Sequence, residues 1–326
     1  MKQSKVEDLY SKLNKGAEWI CKKNDISYIE ALTILADVLK GENEQESHFK
    51  ELLELINPIH FDDYSKEEIR KSVQLVILKG QKEGTQPNHQ MTPDAISIFM
   101  GYLVHKFVQV LENNKNVTVL DPVVGSGNLL TAVLNQLDVK TSYGIDIDEV
   151  LLKISMLNGN AQAHHLELFL QDSLMPFYIE PVDLVVADLP VGYYPNDENA
   201  ATFELKSEQG HSYAHHLLIE QSLSYLKTDG YGFFIIPNQL FDSPEAHKLK
   251  TFLQKHAIVQ GVIQLPLNVF KSEKYAKSIF ILQKKGDETK APKQAMLVNM
   301  PSFSDPSKVE SVLGKIDQWI KENKII

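Results

Sequence analysis

Hydrophobic spacing divides the chain into two stretches of different character. In the first, apolar positions recur at intervals of three and four residues. Residues 28–40 form an amphipathic run stopped by Gly41, Phe49, Leu52, Leu53 and Ile56 a second ending before Pro58, and Ile69, Val73, Val76 and Ile77 a third running to Gly80. Ser65 and Glu68 make a capping box at the start of that third run. Residues 1–84 are therefore expected to be a helical N-terminal domain, a packing and docking module. A polar loop, residues 81–89, leads into the second stretch, 85–326. There short β-branched runs alternate with helical spacing: strands are predicted near 117–120, 141–148, 166–170, 182–187, 231–236, 258–265 and 278–285. That alternation predicts an α/β sandwich around a mostly parallel sheet. A short strand at 296–298 and a helix from Asp305-Pro306 through Val309, Leu313, Ile316 and Ile320 follow.

The strand at 117–120 runs into Asp121-Pro122-Val123-Val124-Gly125-Ser126-Gly127-Asn128, after which Leu129, Leu130, Val133, Leu134 and Leu137 keep helical spacing. In an open α/β sheet a turn at a strand's carboxyl end is where ligands bind. Gly125 and Gly127 lack the Cβ that would keep a ligand off the backbone, so Gly127→Val is expected to fill the space over the turn. A phosphate loop needs a Lys-Ser/Thr pair where Asn128-Leu129 stands. A dinucleotide fingerprint needs a third glycine where Leu130 stands, which argues against an NAD dehydrogenase. An acid at the strand end repels pyrophosphate and suits a cationic ammonium or ribose hydroxyls. S-adenosyl-L-methionine presents both, although on the turn alone an ordinary α/β connection stays open.

Two further strand ends carry acids. Asp146-Ile147-Asp148 lies about 20 residues past the glycines, where an acid hydrogen-bonds ribose in nucleoside-binding folds. Of the two, Asp148 is expected to cap the next helix and Asp146 to bind. Gln171-Asp172-Ser173 follows the third run, and an acid there can accept from an adenine amine. Together DPVVGSGNLL, YGIDID and QDS resemble motifs I, II and III of class I S-adenosylmethionine-dependent methyltransferases. They are most similar to the N6-adenine DNA methyltransferase group, including type I restriction-modification modification subunits, whose first motif reads D-P-A-C-G-S-G. The resemblance implies a Rossmann-like class I methyltransferase sandwich with a seven-stranded sheet, its last strand antiparallel, behind the helical N-terminal domain. It implies that Asp121 and the turn through Pro122, Gly125, Ser126, Gly127, Asn128 and Leu129 hold the methionine end. Asp146 would then take the ribose, Ile147 pack on adenine, and Asp172 with Ser173 meet its amine. Thr92-Pro93, read locally as an N-cap and first helical residue, resembles motif X, which contacts the methionine moiety.

The fourth strand ends in Asp188-Leu189-Pro190-Val191-Gly192-Tyr193-Tyr194, where the resembled group has N/D-P-P-Y/F. An exocyclic amine on a ring is a poor nucleophile; a side-chain oxygen and a backbone carbonyl accept its hydrogen bonds, rigid prolines fix the geometry, and an aromatic ring stacks on the flipped base. Asp188, the carbonyl of Leu189 and Pro190 preserve the catalytic part. The first proline has become Leu189 and the aromatic position Val191, leaving Tyr193 or Tyr194 to stack. Phe270, in an L-P-x-x-x-F phrase, again resembles modification subunits and joins Val191, Tyr193 and Tyr194 as a substrate contact. Lys271, Lys274, Tyr275 and Lys277 read equally as a phosphate-facing patch or a solvated loop.

Composition narrows the setting. The 326 residues, 43% hydrophobic, suffice for a large domain and a smaller one, and the one cysteine, Cys21, forms no internal disulfide and fits a reducing, cytoplasmic setting. No signal-peptide core or membrane-spanning apolar run is present. A net charge of −10 weighs against non-specific DNA binding by the whole surface and leaves room for a local basic patch. His211, His215 and His216 have no carboxylate or cysteine at ligand spacing, so no metal site is expected. The leading expectation is an N6-adenine DNA methyltransferase-like enzyme, with DNA or another nucleic acid as partner and a separate specificity subunit. The alternatives are methylation of RNA or a protein amide, and a cofactor-binding protein without catalysis.

Overall fold

The computed structural model describes residues 4–40, 47–56, 58–83, 91–109, 115–287 and 289–323. The Gly41 stop and most of the predicted loop at 81–89 lie outside these residues. Four helices come first: α1 (Lys5–Asn24), α2 (Tyr28–Leu39), α3 (Ser47–Ile56) and α4 (Lys66–Glu83). Capping boxes open α1, α2 and α4, the last through the predicted Ser65–Glu68 exchange, with the Glu68 amide 3.3 Å from Ser65 Oγ and the Ser65 amide 2.8 Å from Glu68 Oε2. Leu9, Leu13, Leu32, Leu35, Leu52, Ile56, Val73 and Val76 close a core among them. Ile154 and Ala161 of α7 (Glu149–Ala161) belong to the same cluster, so the helices are seated on the α/β layer.

That layer is one sheet of β1 (Val117–Asp121), β2 (Val139–Asp146), β3 (Leu166–Leu170), β4 (Val182–Asp188), β5 (Leu226–Pro237), β6 (Ala257–Gln264), β7 (Lys277–Lys284) and β8 (Met296–Asn299). Their order is β3-β2-β1-β4-β5-β7-β6-β8, with β7 antiparallel to both neighbours and every other pairing parallel. Seven strands were expected from the resemblance; β8 extends the sheet by pairing in parallel with β6. Sequence order reverses between β1 and β4, so their carboxyl ends flank the crevice in which such sheets bind ligands.

Two-residue periodicity distributes the strand side chains to opposite faces. Val117, Val119, Leu184, Val186, Phe233 and Ile235 pack with α5 (Asp94–Val108), α6 (Asn128–Leu134) and α11 (Pro306–Asn323). Leu120, Val185, Ala187, Phe234 and Ile236 pack with α9 (Ala214–Tyr225) and α10 (Ala246–His256). A four-residue helix, α8 (Asp197–Ala200), lies between β4 and α9. Among the described residues no helix is long and apolar enough to cross a membrane.

Candidate active site

The turn after β1 is built from its glycines. Gly125 and Gly127 lie at φ +53° and +75°, the left-handed region where a Cβ is strained. They do different work. A Cβ at Gly125 meets nothing within 4 Å, whereas one at Gly127 would stand 2.6 Å from Ser155 Oγ and 3.3 Å from Ser155 Cα on α7. The open space over the turn therefore belongs to Gly125, and the expectation attached to Gly127 is corrected: that glycine lets α7 approach.

Three acids stand at or just past the carboxyl ends of β1, β2 and β3 beside this turn. Asp121, 1% exposed, accepts the Val123 amide at 3.0 Å. Burial pushes its carboxyl well above the ordinary range, the Val123 amide opposes the shift, and the charges of Asp146 and Asp188 add to it. Enclosed in this way, Asp121 is not an exposed acceptor. Asp146 takes the amides of Gly125 at 2.8 Å and Asp148 at 3.0 Å, which clamps β2 to the turn. Burial raises its carboxyl too, against those amides. Asp148 caps α7 by accepting from Val150 and Leu151, as expected. Ile147 is 73% exposed beside Asp146, an apolar platform that a folded core does not use. Asp172 accepts the Leu174 amide at 2.9 Å and the Tyr194 hydroxyl at 2.5 Å, and Ser173 Oγ donates to the Pro122 carbonyl.

The remaining turn residues face inward. Leu129 belongs to the main core, Pro122 and Ser126 are buried, and both polar atoms of the Asn128 side chain are engaged by protein. Asn128 Oδ1 accepts from Arg70 Nη1 at 2.9 Å, and Nδ2 donates to the Thr92 carbonyl at 3.0 Å. The side chains of Asn128 and Leu129 are thus structural, a correction to their assignment as cofactor contacts. Thr92 also departs from expectation. The N-cap of α5 is Pro93, and Thr92 Oγ1 instead donates to Asp188 Oδ2 at 2.8 Å.

Asp188 ends β4 beside these groups, its Oδ1 2.5 Å from Lys277 Nζ. The Leu189 amide donates to the Ile235 carbonyl at 3.1 Å and fixes the corner to β5. Pro190 and Val191 are exposed. Of the two tyrosines, Tyr193 is exposed and stacks on Tyr213 with centroids 5.1 Å apart and planes at 23°. Tyr194 is buried on Asp172, so it does not offer a stacking face; burial and the Asp172 carboxylate push its phenol up to about 12. Phe270 packs half-buried against the main core.

Arg70 escaped the sequence reading, and His215 was weighed there only as a metal ligand. Arg70 is fully buried, its guanidinium 2.8 Å from Glu67 and 2.6 Å from Asp94 as well as on Asn128. It shares an i, i+3, i+7 face with Val73 and Ile77, the one local sign that it points inward. His215 lies behind the corner. Burial lowers its imidazole to about 4, the Lys277 charge adds to this, and a hydrogen bond to the Pro190 carbonyl opposes it; burial and His215 lower His216 to about 3. Both are neutral in the fold, so the stability they contribute is complete above the ordinary 6.5 and is lost as pH falls towards those values. Denaturant titrations of His216→Leu over that interval are expected to show a flatter acid limb than the parent; an identical limb would remove the effect.

The strand order, the glycine turn and the acids at successive strand ends define a class I S-adenosylmethionine-dependent methyltransferase fold. The chain belongs to the N-6 DNA Methylase family, which matches residues 80–313; residues 7–81 match the YtxK N-terminal helical domain. Over 99% of its length it is 48% identical to the uncharacterized protein YtxK of Bacillus subtilis (strain 168), covering 100% of that relative. A solved structure from Listeria monocytogenes, provisionally assigned as a class I S-adenosylmethionine-dependent methyltransferase, superposes with TM-score 0.89 at 40% identity, covering 97% of this chain and 99% of the other. The modification subunit of a provisionally assigned type I restriction enzyme from Vibrio vulnificus YJ016 shares the fold at TM-score 0.63 and 16% identity, over 82% and 61% of the two chains.

Proposed function

We propose that this protein binds S-adenosyl-L-methionine on the β1–β3 rim and methylates the exocyclic N6 amine of adenine in DNA, in the cytoplasm, with a separate specificity subunit supplying sequence recognition. One observation carries the reading: the open space at Gly125 lies among carboxyls that burial and mutual repulsion hold short of easy ionisation. A ligand bringing positive charge and a diol relieves that strain, and the exposed Ile147 gives a planar base a surface. Gly125 and Asp146 would hold the ligand, Asp121 would supply field, and Asp172 would accept from its adenine on releasing Tyr194. When bound, S-adenosyl-L-methionine supplies a methyl group already activated by its sulfonium.

The chain's own part is orientation. Thr92 fixes one oxygen of Asp188, the Leu189 amide pins the corner to β5, and the Pro190 ring limits its swing. An Asp188 oxygen and the Leu189 carbonyl are the two acceptors for the amine hydrogens. Tyr193, exposed and stacked on Tyr213, is the aromatic group at hand for a flipped base. Transfer of labelled methyl from the cofactor to adenine-containing DNA tests the activity, and Asp188→Ala is expected to lower it by about 10²–10³-fold. Failure to label DNA at any cofactor concentration, both by the protein alone and with cell extract supplying a specificity subunit, would sink the DNA reading.

Affinity should depend on pH. Protonation of Asp121 and Asp146 removes the charge that a cationic ligand meets, so affinity is expected to fall as pH drops from neutrality towards the ordinary carboxylate value of 3.8. Both groups are raised in the fold, so the ligand-free protein loses stability over the same interval as pH rises. Calorimetry in buffers of different ionisation heat reads the protons released on binding; none released would contradict the carboxylate rim. A second reading, a cofactor-binding protein without catalysis, is favoured by one feature, the ammonium already seated on Asp188.

A further inference from the structure

Neither carboxylate oxygen of Asp188 is idle. Lys277 Nζ is 2.5 Å from Oδ1 and Thr92 Oγ1 is 2.8 Å from Oδ2. Lys277 opens β7, in register with Pro237 at the end of β5, and its side chain reaches the carboxylate oxygen that Thr92 leaves. Neither partner is sealed in: the side chains of Lys277 and Asp188 are 25% and 19% exposed. Hydrogen bonds between an ammonium and a carboxylate are roughly twice as strong as those from a neutral donor. An uncharged amine arriving alone therefore loses the competition for Asp188.

We infer that Lys277 is a latch on the acceptor carboxylate, holding Asp188 until a phosphate carried with the acceptor draws the ammonium away, so that the site admits an amine only in the company of an anion. The inference rests on the reading of Asp188 as the amine acceptor. Lysine suits the role because its compact charge rides on a flexible stem and exchanges partners without a fixed fork geometry. The phosphate has an approach. Lys271 and Lys274 are exposed on the segment leading into Lys277, and Tyr275 beside them is 60% exposed. With a net charge of −10 on the chain, attraction for a polyanion has to be local, and this segment supplies it next to the carboxylate it would free. Lys277 thereby becomes a specificity-determining residue that separates a nucleotide acceptor from a neutral amide.

The test uses full-length protein saturated with S-adenosylhomocysteine and two probes, uncharged adenosine and a short adenine-containing single-stranded oligonucleotide. Wild-type protein is expected to bind the oligonucleotide and to bind adenosine weakly. In Lys277→Gln, adenosine affinity rises about tenfold as the competing ammonium is removed. The salt slope for the oligonucleotide falls by roughly 0.7, the share of one phosphate contact on a single strand. In parallel, the Lys277 ammonium resonance, assigned in ¹⁵N-lysine spectra by its loss in Lys277→Arg, is expected to shift with the oligonucleotide and not with adenosine. Oligonucleotide binding with an unmoved Lys277 resonance and an unchanged salt slope overturns the latch and leaves the proposed function standing. Tighter wild-type binding of a neutral glutamine peptide than of the oligonucleotide overturns it in favour of a protein acceptor. Absence of binding by either nucleic-acid probe to both proteins removes the adenine acceptor and the latch with it.

Discussion

Gly125→Val is expected to bring S-adenosyl-L-methionine binding below calorimetric detection while removing only about 1–2 kcal/mol of folding stability, the strain of a side chain in the left-handed region. Its Cβ enters open space, so nothing in the protein has to move; what it displaces is the ligand. Gly127→Val is expected to do the reverse in order of cause. Its Cβ meets Ser155 at 2.6 Å from Oγ and 3.3 Å from Cα, and the helix backbone cannot withdraw as a side-chain end could. Strain and overpacking together should cost about 2–4 kcal/mol of stability, with binding lost because the turn is distorted. Denaturant unfolding and calorimetry on the two variants separate these effects. Full affinity in a folded Gly125→Val protein would place the cofactor elsewhere.

Arg70→Met is expected to destabilise the fold by breaking a buried ion network. The guanidinium is fully buried and engages Glu67, Asp94 and Asn128. Burial opposes ionisation of Glu67, yet the Arg70 and Asn135 hydrogen bonds outweigh it and hold that carboxyl below its ordinary value. Removing one partner from a buried ion network costs about 3–5 kcal/mol. Here roughly 2–3 kcal/mol is expected, since Glu67 and Asp94 keep a third or more of their side chains in water. The variant should also bind cofactor more weakly, because Arg70 holds Asn128 at the end of the glycine turn and Asn128 ties that turn to the Thr92 carbonyl. A stability loss with unchanged affinity would confine Arg70 to packing.

What the sequence made legible was local. The run 117–120 with its glycine turn, the acids at 146 and 172, the Asp148 cap and the Ser65–Glu68 box each declare themselves within a few residues, through backbone chemistry that depends little on the rest of the chain. The fold followed from alternating periodicities for the same reason. Long-range pairings were not legible: Arg70 meets Asn128 across 58 positions, Lys277 meets Asp188 across 89, and Thr92 meets Asp188 across 96. Thr92 was misread as a cap because Thr-Pro before an apolar run fits a helix start equally well, and only the fold brings β4 within reach of its hydroxyl. Which of Tyr193 and Tyr194 turns inward could not be read from adjacent identical residues. The structure decides it by pairing Tyr193 with Tyr213 and burying its neighbour.

On the proposed reading, the Tyr194 phenol on Asp172 links the cofactor's adenine to the acceptor corner, through its neighbour Tyr193. If Asp172 turns to a base amine, Tyr194 gives up its acceptor and keeps the side-chain amide of Asn199, 3.0 Å from its oxygen. A cofactor that weakens or strengthens acceptor binding by this route is itself weakened or strengthened by the acceptor by the same factor. A phenylalanine at 194 would cut that conversation, making the two ligands indifferent to each other.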